Sequence, residues 1–83
     1  MKKKPIRIKV KKLGKEKADG LAFKDDRLIY IDPRLKGIGL LETLIHEILH
    51  CQQPDLSEET VTSNAKEMAD LLFKMGFRWV DLS

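Results

Sequence analysis

The alternation of apolar and polar residues predicts a small β-sheet in the first part of the chain. Residues 6–10 alternate between isoleucine or valine and basic side chains, a pattern typical of a half-buried strand. Residues 20–32 hold two short apolar segments on either side of an Asp-Asp pair, which predicts a β-hairpin. The second segment, 28–31, is apolar at nearly every position, so we expect both faces of that strand to be covered.

A helical repeat follows the hairpin. Pro33 and the glycines at positions 37 and 39 interrupt the chain, and a helix is predicted over residues 40–51. A second helix is predicted over residues 57–75, with Ser57 as its N-cap and Gly76 directly after its end. The apolar tail after Gly76 is expected to pack back on the domain.

The predicted elements define the fold class. We expect a single α+β domain over residues 1–83, in which a small antiparallel sheet of about three strands packs with two α-helices. Eighty-three residues allow one modest core, and a bound metal ion would add to its stability.

Charge is concentrated at one end of the chain. Residues 1–17 carry nine lysines and arginines against the single Glu16, in a protein of net charge +3. Such a segment could bind nucleic acid or another acidic partner. The same pattern is typical of an edge strand whose lysines prevent edge-to-edge aggregation. The segment also has no aromatic residue on which a base could stack.

Composition excludes several classes of protein. No apolar run reaches the roughly 20 residues needed to span a bilayer, and the basic start is not followed by the apolar stretch of a secretory signal. The lone Cys51 cannot form an internal disulfide, which fits a reducing compartment. We therefore expect a globular cytoplasmic protein that does not bind membranes.

The first predicted helix contains the motif His-Glu-Ile-Leu-His, residues 46–50. Residues four apart lie on one face of a helix, so His46 and His50 can both reach one metal ion, while Glu47 can act on a water held there. Both histidines lie about 140–180° around the helix from Leu41, outside the apolar stripe. They are expected to face a cleft and not the core. Zn²⁺ suits this ligand set best, and manganese, cobalt or iron would also fit.

A catalytic zinc site needs a third protein ligand, and the chain has no other histidine. Cys51 points about 100° away from His50 around the helix, so it is expected to be a small buried residue instead. Glu58 begins the second helix and leans toward its apolar face, which makes it the first candidate. Glu59 and Asp55 are the alternatives, and first-turn glutamates also complement a helix dipole without any metal.

These features resemble small HExxH zincin-like metallopeptidases of the minimal gluzincin type, found in phages and bacteria. The resemblance covers about residues 20–79. It implies that His46 and His50 bind zinc, that Glu47 is the general base, and that a glutamate on the following helix completes the site. It also implies that the strand Leu28, Ile29, Tyr30 and Ile31 is an edge strand that pairs with an extended peptide substrate.

The activity implied is zinc-dependent hydrolysis of peptide bonds, in which Glu47 assists the attack of a metal-bound water. Tyr30 or Arg78 could stabilise the oxyanion. A second copy of the chain or a partner protein could supply a missing wall of the cleft. Two alternatives stay open: a non-enzymatic zincin-like module that binds a protein, and a nucleic-acid-associated protein that uses residues 1–17. A three-histidine metal ribonuclease and a deformylase-like enzyme are disfavoured, since the required histidine and cysteine ligands are missing.

Overall fold

A three-stranded sheet and two helices form the structure, which is a computed structural model and describes residues 3–14 and 19–80. In chain order the elements are β1 (Arg7–Val10), β2 (Gly20–Phe23), β3 (Leu28–Ile31), α1 (Gly37–Gln52) and α2 (Glu58–Lys74). The predicted α+β class is therefore confirmed. The outer parts of the basic segment 1–17 and the last three residues of the chain lie outside the described residues.

The sheet is mixed, with the strand order β1–β3–β2. The predicted hairpin is present as the antiparallel pair β2–β3, in which Leu21 lies opposite Tyr30. The prediction of an antiparallel sheet is wrong for the other pair, because β1 runs parallel to β3, with Ile8 opposite Ile29. The chain between β1 and β2 crosses to the far side of β3, which leaves β1 parallel to the central strand.

The strand order also corrects the predicted role of β3. Leu28, Ile29, Tyr30 and Ile31 were expected at the edge of the sheet, and this prediction is wrong because β3 lies between the other two strands. Its backbone groups are used on both sides, so β3 cannot add a peptide as a further strand. Among the described strands, the edges are β1 and β2.

The inner face of the sheet packs against α1. Ile29 and Ile31 are buried there together with Cys51, and Leu44 and Ile48 of α1 pack against them. Cys51 is thus a small buried core residue, as expected. Since β-strand side chains alternate between faces, Tyr30 lies on the outer face, where it contacts the Phe23 ring.

The two helices pack against each other through a second core of small and medium apolar residues. Leu49 of α1 is buried against Val61 and Ala65 of α2, with Ile45 and Leu56 at the margin. Alanine at the contact lets the helix backbones approach closely. This packing holds the start of α2 beside the end of α1.

Both ends of α2 follow the predicted capping chemistry. The Ser57 hydroxyl accepts a hydrogen bond from the Thr60 backbone N–H at 3.1 Å. At the other end Gly76 adopts φ +94°, and the backbone N–H groups of Gly76 and Phe77 donate to the carbonyls of Phe73 and Leu72. This is a Schellman motif, for which a residue without Cβ is favoured.

A buried carboxylate holds the long connection between β1 and β2. Asp32 is 1% exposed; it accepts hydrogen bonds from the Leu13 backbone N–H at 2.9 Å and from the Arg34 guanidinium at 2.9 and 3.0 Å. Its own N–H donates to the Asp19 carbonyl. Asp32 therefore fixes both Leu13 and Asp19 at the end of β3.

The apolar tail differs from expectation. Phe77, Trp79 and Val80 are each about 60% exposed or more, so the tail covers the domain only in part. Within the described residues, neither helix is long and apolar enough to cross a membrane.

Asp32→Asn should lower the urea midpoint of unfolding at pH 7. The hydrogen bonds from Arg34 and Leu13 lower the pKa of Asp32 well below its ordinary value. The stability that the ionised carboxylate contributes is therefore complete above about pH 5 and is lost as pH falls toward the folded-state pKa. The difference between wild type and Asp32→Asn should shrink steadily between pH 4 and pH 2. Asp25→Asn, in the exposed β2–β3 turn, is the control; an equal effect of both variants at every pH would contradict this role.

Candidate metal centre

Three potential metal ligands converge where the end of α1 meets the start of α2. The Nε2 atoms of His46 and His50 are 3.1 Å apart. Glu58 reaches both: its Oε1 lies 2.8 Å from His46 Nε2 and its Oε2 lies 3.0 Å from His50 Nε2. In the part of the chain that the structure describes, this is the only cluster of its kind, so Glu59, Asp55 and Cys51 are not part of it.

The sequence places these ligands by simple helix geometry. His46 and His50 are one turn apart on α1, on the side away from Leu44 and Ile48, which face the sheet. Glu58 is the first residue of α2, and the short link after Gln52 turns the chain back beside the histidines. Because the first turn of a helix leaves backbone N–H groups without partners, a carboxylate is also favoured there electrostatically.

The donor set fits a divalent metal ion. Two ligand atoms that are each about 2.1 Å from one tetrahedral zinc ion lie roughly 3.4 Å apart. The three observed separations are only slightly shorter, so a small outward movement of the side chains would let one ion bind all three. The group could therefore hold a metal ion through two imidazole nitrogens and one carboxylate oxygen.

Burial favours the protonation state that metal binding needs. It lowers the pKa of His50, and the charge of Glu58 only partly opposes this shift. A histidine must be neutral to offer its nitrogen to a metal. His50 Nδ1 is buried without a hydrogen-bond partner among the described residues, so packing and Glu58 orient this imidazole.

Glu47 lies next to the cluster in a different environment. Its side chain is largely buried, with the residue 9% exposed, and burial raises the pKa of its carboxyl; His46 opposes this shift and Glu58 adds to it. Among the described residues the Glu47 carboxyl has no hydrogen-bond partner, and it faces an open cleft. A carboxylate in this state is a stronger proton acceptor than one in water.

Glu47 opens into a cleft of about 180 Å³ between α1 and the start of β2. Thr43, His46 and Glu42 of α1 line one side, and Asp19 and Gly20 line the other. A Cβ on Gly20 would lie 2.9 Å from Thr43 Cγ2 and 3.1 Å from Glu47 Cγ. Gly20 thus lets the edge strand β2 pass directly against the glutamate.

The close approach of β2 to Glu47 was not predicted from the sequence, although a glycine in a strand is a sign that another group comes close to the backbone. The two residues suggested for an oxyanion lie elsewhere. Tyr30 is on the outer sheet face under Lys11. Arg78 stacks on the Phe73 ring and donates to the Phe77 carbonyl. Neither residue lines the cleft beside Glu47.

The β2–β3 turn fixes the end of α1. The Arg27 guanidinium donates to the Cys51 carbonyl at 3.0 Å, and the Lys24 ammonium reaches the Pro54 carbonyl at 3.5 Å. Positive charge at the carboxyl end of a helix is favourable. The turn therefore holds the histidine-bearing end of α1 in place.

Comparison with known protein families, with curated proteins and with solved structures finds no match to this chain.

Glu58→Gln should weaken Zn²⁺ binding, because the amide carries no charge and is a poorer ligand than a carboxylate. Since Glu58 would bind the ion directly, we expect more than the roughly 10- to 100-fold loss typical of an outer-shell change. Titration against a competing chelator measures the affinity. Glu59→Gln changes the neighbouring glutamate outside the cluster and should bind zinc like wild type. Equal affinities of the two variants would show that Glu58 is not a ligand.

Gly20→Ala should destabilise the fold, since the added methyl group would meet Thr43 and Glu47 at distances that real Cβ atoms rarely show. Either β2 or Glu47 must move. Gly39→Ala is the matched control: it lies inside α1 with open space around its Cβ position, and it should stabilise the helix by about 1 kcal/mol. Urea denaturation of both variants checks the opposite signs, and a Gly20→Ala protein as stable as wild type would contradict the close approach.

Proposed function

We propose that this protein is a zinc-dependent hydrolase that cleaves peptide bonds, with His46, His50 and Glu58 holding the metal ion and Glu47 as general base. The observation that carries the proposal is the Glu47 carboxylate, which is largely buried beside the three converging ligands and opens into the cleft. Even partial burial of a carboxylate costs free energy. A metal site that only stabilised the fold would have no need of it.

A bound zinc ion would supply the Lewis acidity that acidifies water and polarises a carbonyl. The protein residues do the rest. His46, His50 and Glu58 offer one ligand atom each, which leaves the exposed side of the cluster open. The Glu47 carboxylate takes a proton from the attacking water and passes it to the leaving amine nitrogen. Its burial favours the first step, because a raised pKa makes proton uptake easier.

The position of the cleft beside β2 favours an extended peptide as the substrate. β2 is the edge strand on the side of Glu47, and the described residues place no further strand beside it. An extended peptide can hydrogen-bond to such an edge and lie across the opening of the cleft. In this proposal β2 takes the role that the resemblance to zincins implied for β3.

Glu47→Gln should lower peptide hydrolysis by about a hundredfold or more, since general-base catalysis is typically worth that much. Zinc affinity should stay close to wild type, because Glu47 is not one of the three ligands. The assay incubates zinc-loaded protein with a mixed peptide digest and identifies new termini by mass spectrometry.

Glu42→Gln is the control for this experiment. It removes a carboxylate from the same cleft, where Glu42 is half-buried, and should retain most of the activity. A Glu47→Gln protein that hydrolyses as fast as wild type would refute the assigned base. A zinc-loaded wild type that produces no new termini would instead favour the non-enzymatic binding module.

A further inference from the structure

An open apolar groove lies on the side of α1 opposite the metal cluster. It is lined by Ile8, Val10, Leu35, Leu40, Leu44 and Trp79, and we call it the β1 groove. Its volume is about 400 Å³, and an adjoining cavity of about 470 Å³ extends it toward Phe77 and Arg78. Val10 is 56% exposed and Trp79 is 61% exposed. Contiguous exposed apolar surface of this kind typically marks a binding site.

The groove exists because the helices do not cover β1. This strand contacts only β3 among the elements, while α1 packs on β2 and β3. Ile8 and Val10 lie opposite Ile29 and Ile31, so they belong to the same inner face. Helix α1 thus covers the inner face of the sheet at β3 but not at β1.

The outer edge of β1 offers unused backbone groups. The N–H groups of Arg7 and Lys11 donate to carbonyls at either end of β3. Because bonding residues alternate along a parallel strand, the N–H and C=O groups of Ile8 and Val10 point away from the sheet. The described residues place no strand there. A fourth strand could hydrogen-bond along this edge.

Charge decides what kind of strand fits. Arg7, Lys9 and Lys11 alternate with the two apolar residues and lie on the outer face, all exposed. Two further basic residues, Lys36 and Arg78, line the cavity that adjoins the β1 groove. Asp32, the one carboxylate among the described residues lining either cavity, is buried and paired with Arg34.

We infer that β1 receives an extended segment of a partner protein in which acidic and apolar residues alternate. Its apolar side chains would lie over the β1 groove, next to Ile8 and Val10. Its carboxylates would lie beside Arg7, Lys9 and Lys11 on the other face, as favourable cross-strand pairs. The side chains on both faces of the added strand would thus contact complementary residues.

A second copy of the chain is a poorer occupant. Pairing β1 with β1 would bring lysines and arginines of the two copies side by side, and like charges in neighbouring strands are destabilising. Nucleic acid would use the basic face and leave the apolar groove empty. The combination of groove, edge and charge favours the acidic strand.

The test uses a capped seven-residue peptide of alternating glutamate and valine. Trp79 is the only tryptophan in the chain and lines both cavities, so its emission should shift to the blue and saturate as the peptide binds. Amide exchange at Ile8 and Val10 should slow in the complex. A peptide of the same composition with its valines contiguous, and one N-methylated at every residue, should both fail to bind.

Lys9→Glu should weaken the acidic peptide about tenfold, since it replaces an attractive cross-strand pair with a repulsive one. It should gain binding of the matching lysine–valine peptide. Lys66→Glu makes the same change on α2, away from β1, and should bind like wild type. Circular dichroism checks that both variants fold.

Four results would overturn the inference. The first is no saturable change with the alternating peptide, and the second is equal binding by wild type and Lys9→Glu. The third is unchanged exchange at Ile8 and Val10 in the presence of peptide. The fourth is another occupant of the β1 edge, seen either as self-association of wild type in sedimentation or as a short DNA or RNA that protects the two amides as well as the peptide does. None of these readouts depends on the metal site, so they are independent of the proposed hydrolysis.

Discussion

The packing of Leu49 against Val61 and Ala65 is the contact on which the cluster of His46, His50 and Glu58 depends. Two histidines on one helix define only a pair of potential ligands, and the third potential ligand comes from α2. Glu58 is exposed and could adopt many positions in a free helix. The buried contact between the helices, worth about 1.5–3 kcal/mol for each large apolar side chain, fixes where α2 begins and so where Glu58 lies.

Helix α1 has three different surfaces, and each has its own physical role. Leu44 and Ile48 hold α1 on the sheet, His46 and His50 face the start of α2, and Glu47 faces β2. The last placement opposes stability, because the carboxylate is largely buried and its charged form is therefore disfavoured. Free energy from the two apolar cores offsets this cost.

Features set by neighbouring residues were predictable from the sequence. The spacing of the histidines, the N-cap Ser57 and Gly76 after α2 depend on local backbone geometry, and the structure has all three as expected. Glu58 was the first choice among three acidic residues because it leans toward the apolar face of its helix. The structure brings it, and neither alternative, to the histidines.

Strand order depends on contacts between distant residues, which periodicity does not encode. β1 and β2 carry apolar residues that would suit either side of β3, and only the path of the connecting chain decides between them. One sequence signal did bear on it: β3 is apolar at nearly every position, as is typical of a central strand, whereas β1 alternates with basic residues as edge strands do. The described helices cover β3 on one face only, so the expectation that both of its faces are covered is wrong. Read together, these patterns argue for β3 in the middle. As a consequence, the two outer strands of the described sheet lie at its opposite edges, β2 beside Glu47 and β1 beside the open apolar groove.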